Sequence, residues 1–253
     1  MDAARRREVL QALGIELWVA RAAAPETSAS DEPVSFGPAE PALPVSPAAP
    51  APVPESPDAP VTGLDWPDLE SSVAGCRRCG LSEERTQTVF GVGARTADWM
   101  IVGEAPGAEE DRQGEPFVGA AGQLLNQMLR AVGLRREQVF IANTLKCRPP
   151  GNRDPHADEL AACRPYLDRQ IELVHPRLLL VVGRIAAQAL LASDLPIGRL
   201  RGRVHTLPGL GIPVVATYHP AYLLRSPEQK QRAWHDLLLA CSVAAPEGDG
   251  GAR

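Results

Sequence analysis

Cys76-Arg77-Arg78-Cys79 forms a C-x2-C pair, and Cys147 and Cys163 follow it with fifteen residues between them. Thiolates bind soft metal centres more readily than other side chains, and a close pair supplies two ligands from one turn of chain. Four such cysteines suit a zinc ion or an iron-sulfur cluster equally, and spacing alone leaves both open. Buried structural thiols are the plainer reading, but the paired spacing argues against them. Cys241 has no partner near it in sequence and is expected to be a core residue.

A second set of residues could do acid-base and hydrogen-bonding chemistry. Glu104 follows an apolar run and opens the turn Gly103-Glu104-Ala105-Pro106-Gly107, after which AEEDRQGEPFVGAAG brings Glu109, Glu110, Asp111 and Phe117. Asn143 closes another apolar run, just before TLKCRPPGNRDP, and His219 follows a third, in TYHPAYLLR. A carboxylate can hold or take a proton, an amide can donate and accept at once, and an imidazole can do either near neutral pH. Any one of these often only caps a loop. Three at corresponding places point to a shared site.

The elements that must position them can be read from periodicity. Trp99–Gly103, Val139–Asn143, Leu178–Gly183 and Val214–Tyr218 are short apolar runs expected to be buried strands. Helical stretches are expected at Gly119–Val132, Pro155–Val174, Arg184–Leu191 and Pro227–Ala240, with Asp154 as N-cap and Pro155 at the first position of the second. Strands alternating with helices, and apolar on both faces, indicate an α/β fold on a parallel sheet. Sites in such sheets lie beyond the carboxyl ends of the strands. Glu104, Asn143 and His219 all fall there.

Composition separates this part from the rest. Residues 22–65 hold 11 of the 25 prolines and seven acids with no Lys or Arg, and removing those seven charges turns the formal −5 into +2. The remainder therefore admits a nucleic-acid partner without demanding one. A Pro/Ala/acidic stretch buries too little apolar surface to offset ordering, so 22–63 is expected to be a disordered linker, as is a tail at 245–253. Residues 1–21 carry a partly amphipathic helix pattern, and 5–21, with Trp18, suit a protein partner. No apolar stretch reaches membrane length and the charged start lacks a secretory core, so a cytoplasmic protein without a membrane partner is expected, its cysteines reduced.

CRRC, GEAPG with EDRQGEPFVGAAG, NTLKCRPPGNRDP, Cys163 and HPAYLLR, in that order from Cys76 to about Trp234, together resemble the iron-sulfur uracil-DNA glycosylases of family 4. The resemblance implies a three-layer α/β/α sandwich with a central four-stranded parallel sheet over residues 64–244. It implies a monomer that acts on the nucleoid, hydrolysing the N-glycosidic bond of uracil in single- or double-stranded DNA. It also implies a [4Fe-4S] cluster on Cys76, Cys79, Cys147 and Cys163, structural in role. Gly103 and Ala105 would shape the base pocket, Phe117 would stack on a flipped base, and Asn143 would read its O4 and N3–H edge. His219 would stabilise charge on uracil O2, and Glu104 or Glu110 would place the water or the sugar cation, since Ala105 cannot. Leu223 and Leu224 would wedge into the vacated stack. Two other readings compete: a relative that traps the sugar covalently on His205, and a non-catalytic Fe-S or Zn protein that binds nucleic acid.

Overall fold

A computed structural model describes residues 61–245 of the chain. The expected helix at 5–21, the linker up to residue 60 and the tail from 246 lie outside the described residues.

The helices are α1 (Trp66–Ala74), α2 (Leu81–Glu84), α3 (Ala108–Gln113), α4 (Ala120–Ala131), α5 (Ala157–Val174), α6 (Arg184–Leu191), α7 (Ile197–Leu200), α8 (Pro220–Arg225) and α9 (Lys230–Ala244). The strands are β1 (Val92–Gly93), β2 (Trp99–Gly103), β3 (Phe140–Asn143), β4 (Leu178–Val182), β5 (Val204–Thr206) and β6 (Pro213–Thr217). Among the described residues they form one six-stranded sheet in the order β1-β3-β2-β4-β6-β5.

β3, β2, β4 and β6 run parallel, with Gly103 opposite Asn143 and Val182 opposite Thr217, so their carboxyl ends align. The sheet departs from the expected four parallel strands, because β1 and β5 add to its two edges antiparallel. Strands of two and three residues are too short to show an apolar period, which is why the sequence reading passes over them.

Alternate strand residues divide between two cores. Met100, Val102, Leu179, Val181 and Val214 pack on Leu167 and Ile171 of α5 and Ala186 and Leu190 of α6. On the other face, Ile101, Ile141, Leu180 and Val215 pack on Leu125 and Leu129 of α4 and Leu237 and Ala240 of α9. Each fully buried Leu or Ile contributes about 1.5–3 kcal/mol, so both faces anchor the strands firmly. The ends are thereby fixed relative to one another.

A third, smaller cluster joins Leu69, Val73, Leu81, Leu145 and Tyr166 with the cysteines. Val61 is buried in it, so the folded unit starts at least three residues before the expected Leu64. The start of α5 also differs from expectation. His156 takes the N-cap position, its backbone N–H donating to Glu159 at 2.8 Å. Asp154, the expected cap, is drawn instead to Arg184 at 2.8 Å.

Candidate active site

The aligned strand ends open into one pocket lined by Glu104, Ala105, Glu110, Phe117, Asn143, Asp154, His219 and Arg225, among others, with about 450 Å³ of space. Glu104, Asn143 and His219, expected from three separate runs, are thus brought together. Glu104 is held through its backbone: its carbonyl accepts from the amide of Leu145 at 3.0 Å and from the Thr144 hydroxyl. The residue lines the pocket. Burial, with the negative charge of Asp154 adding and Arg184 opposing, raises the carboxyl to about 7.

Asn143 is 2% exposed, and its Oδ1 has no hydrogen-bond partner. Leaving such an acceptor unpaired costs about 1–3 kcal/mol unless a ligand supplies the donor. Gly103, beside it in the sheet, has room for no side chain, since a methyl group there would overlap Asn143 Oδ1 and the Phe117 ring. The slot between amide and aromatic face therefore depends on glycine.

His219 sits at the N-cap of α8, its Nδ1 accepting from the amide of Ala221 at 3.1 Å. Burial, assisted by Arg225 and opposed by Glu110, lowers its pKa to about 4. The imidazole is neutral at pH 7, and since Nδ1 is an acceptor, the proton is on Nε2. Phe117 stacks against this ring, centroids 5.6 Å apart at 30°.

The backbone of Phe117 has φ of 54°, a left-handed conformation that costs a bulky residue of order 1–3 kcal/mol and persists only where its surroundings fix it. Glu110 provides part of that: Oε1 accepts from Val118 N at 3.0 Å and Gly119 N at 3.2 Å, while Oε2 accepts from Gly107 N at 3.1 Å. Both oxygens of Glu110 are occupied by the loop. Those of Glu104 carry no such clip.

One expected site residue, and the histidine of the trapping alternative, are placed elsewhere. Leu223 is 1% exposed and packs in the core beside α4. Its neighbour Leu224 is 44% exposed. His205 pairs with Val214, near the amino end of β6, and its Nε2 bonds the Leu200 carbonyl. The pocket lies at the other end of that strand, so the structure does not bring His205 to it.

Cys76, Cys79, Cys147 and Cys163 line a single recess, with Arg85 and Lys146 on its wall. Arg85 donates to Cys147 Sγ at 3.0 Å and the Lys146 amide to Cys163 Sγ at 3.3 Å. Burial pushes the thiol of Cys163 up to about 12 and raises that of Cys147. Among the described residues, no three His, Cys, Asp or Glu side chains converge as the ligands of one ion must. Cys241 is half-buried beside the second core, apart from this set.

A family model described as the uracil DNA glycosylase superfamily matches residues 90–238. The chain belongs to the uracil DNA glycosylase superfamily. It is 46% identical to the type-4 uracil-DNA glycosylase of Archaeoglobus fulgidus over 170 residues, 65% of this chain and 85% of that one. To the type-4 enzyme of Sulfurisphaera tokodaii it is 44% identical over 170 residues, 64% and 77% of the two chains. To that of Pyrobaculum aerophilum it is 41% identical over 182 residues, 70% and 93%.

Supports absent from the sequence reading hold the strand ends. Asp236 of α9, fully buried, takes two bonds from Arg201 and one from the Thr217 hydroxyl at 2.8 Å, fixing the last residue of β6 two places before His219. Lys146, 1% exposed, donates to the Asn143 carbonyl at 2.9 Å and to Gln170 at 2.6 Å. A lysine between two motif residues offers no sequence signal that it is buried.

Proposed function

We propose that this protein excises uracil from DNA, hydrolysing the N-glycosidic bond to release the free base and leave an abasic site. The observation that carries this reading is Asn143 Oδ1, a buried acceptor without a donor at the floor of a slot closed by an aromatic ring. The N3–H of uracil supplies the missing donor, and O4 beside it can accept from the amide nitrogen. Cytosine presents a lone pair at N3, which Oδ1 repels. A pocket with buried polar groups rejects a base that leaves them unpaired.

The rest of the pocket then divides the work. The nucleotide is flipped out at a cost of roughly a few kcal/mol, part of which stacking on Phe117 returns. Leu224, not Leu223, is the side chain exposed for wedging into the gap, and Arg225, which forms no ion pair among the described residues, suits a phosphate. Nε2–H of the neutral His219 donates to uracil O2 as the bond lengthens and charge collects there, an interaction of about 3–4 kcal/mol. The ionised Glu104 faces the cation-like sugar and takes a proton from the water that adds to C1′. Glu110 is read as a loop clip, because its acceptor sites are filled.

The four-cysteine recess is read as the seat of a [4Fe-4S] cluster on Cys76, Cys79, Cys147 and Cys163. Four thiols, two N–H···S hydrogen bonds and two flanking cations suit an anionic cluster, and four irons do not require the sulfurs to meet at one point. When bound, the cluster would supply cross-links between the loop after α1, the segment after β3 and α5. Through Lys146 that segment holds Asn143.

Incubating the full chain with an oligonucleotide bearing one uracil, in single- and double-stranded form, tests the activity. Free uracil and an alkali-labile site are expected. Iron-loaded, folded protein that releases none would sink the reading, and a band shifted on a denaturing gel would transfer it to covalent trapping.

A further inference from the structure

The carbonyls flanking Phe117 are bound by a residue outside every motif that points to the site. Arg136, in the turn before β3, donates from Nη1 to the Phe117 carbonyl at 3.3 Å and from Nη2 to the Pro116 carbonyl. The residue is half-buried, and among the described residues its hydrogen bonds run to carbonyls and to no carboxylate. Desolvation lowers its pKa, with Glu115, Glu137 and Glu110 acting only at longer range against that shift. A charged fork partly withdrawn from water and spent on two peptide oxygens has a positioning task.

On the other side of the same residue, Glu110 Oε1 takes the amides of Val118 and Gly119. The peptide units around Phe117 are therefore gripped from both directions, acceptors by a cation and donors by an anion. Gly122 completes the fit, since a side chain there would run into the Phe117 carbonyl. The left-handed backbone at Phe117 turns its ring toward His219 and the slot at Gly103.

We propose that Arg136 is a positioning residue for base stacking, which with Glu110 holds Phe117 in its strained conformation before the base arrives. The proposal rests on the reading of Phe117 as the stacking face. A preset ring avoids ordering at the moment of binding, so the clamp acts on the flipped state and leaves chemistry after stacking to His219 and Glu104.

The test is a cycle of R136M, F117A and R136M/F117A, assayed by single-turnover excision of uracil, with amide hydrogen exchange at Val118 and Gly119 recorded alongside. R136M keeps the length of the stem and is expected to lower excision about tenfold to thirtyfold in the parent. In the F117A background the same change is expected to cost under about twofold. R136K, which keeps the charge on a single donor nitrogen, should recover part of the loss. The salt dependence of DNA binding should stay as in the parent, whereas a phosphate contact would reduce its slope by about one. Equal losses in both backgrounds, or a reduced salt slope, would overturn the proposal. Faster exchange at Val118 and Gly119 in R136M with full activity in F117A would leave the clamp standing and remove the stacking role.

Discussion

The pocket and the cysteine recess draw on residues only four apart, Asn143 and Cys147, yet they treat their polar atoms in opposite ways. In the pocket Asn143 Oδ1 has no partner, and the Glu104 carboxyl is held near its midpoint at neutral pH. In the recess, two of the four sulfurs already accept hydrogen bonds. Groups left wanting a partner suit a ligand that comes and goes, whereas groups supported in advance suit one that stays. On the proposed reading, the same segment of chain would serve turnover at one end and permanence at the other.

Substitutions should separate the two regions by what they change. The largest expected effect is on rate: E104Q should slow single-turnover excision by roughly 10² to 10⁴-fold with iron content and melting temperature near those of the parent. The pH profile carries the sign. With the carboxyl raised to about 7, its anion is lost as pH falls through that value, so excision should rise with pH across the region around 7. E104Q should abolish that limb. If the variant kept the limb or the rate, the pairing of pocket with turnover would break.

C163S is expected to act on the other side of the comparison. Iron and sulfide content should fall, and the melting temperature should drop by roughly 10 °C or more, because ligand binding energy is also folding energy. Any protein that stays folded should keep much of its rate per molecule. Iron retained in full by C163S would contradict the cluster reading.

The smallest contrast is between adjacent leucines. L223A should cost about 2–5 kcal/mol of stability from a core cavity, measured by denaturant unfolding. L224A should leave stability within about 0.5 kcal/mol and slow excision several-fold on duplex more than on single strands. The reverse pattern would move the wedge to Leu223.

Periodicity and the strand-end rule make the central sheet and its polar rim legible in the sequence. Four buried runs are mostly apolar, so Glu104, Asn143 and His219 can be assigned to a common rim. The features that escape depend on contacts distant in sequence. Whether Glu110 or Glu104 is free turns on which backbone amides face each carboxylate, and spacing does not encode that. Leu223 and Leu224 differ only by their phase in a six-residue helix that begins at Pro220. Asp154 reads as a helix cap until Arg184, thirty residues later, claims it. Arg136 carries no motif, and its task appears only where it meets Pro116 and Phe117.

Gly103 ties the pocket to the chemistry of the genetic message. In every glycine codon, a guanine-to-adenine change at the first or second position yields serine, arginine, aspartate or glutamate, each with a side chain that would fill the slot between Asn143 and Phe117. That change is what an unrepaired cytosine deamination on the opposite strand leaves behind. A cell that lost this repair at the wrong codon would inherit the loss by the same lesion the pocket is proposed to remove.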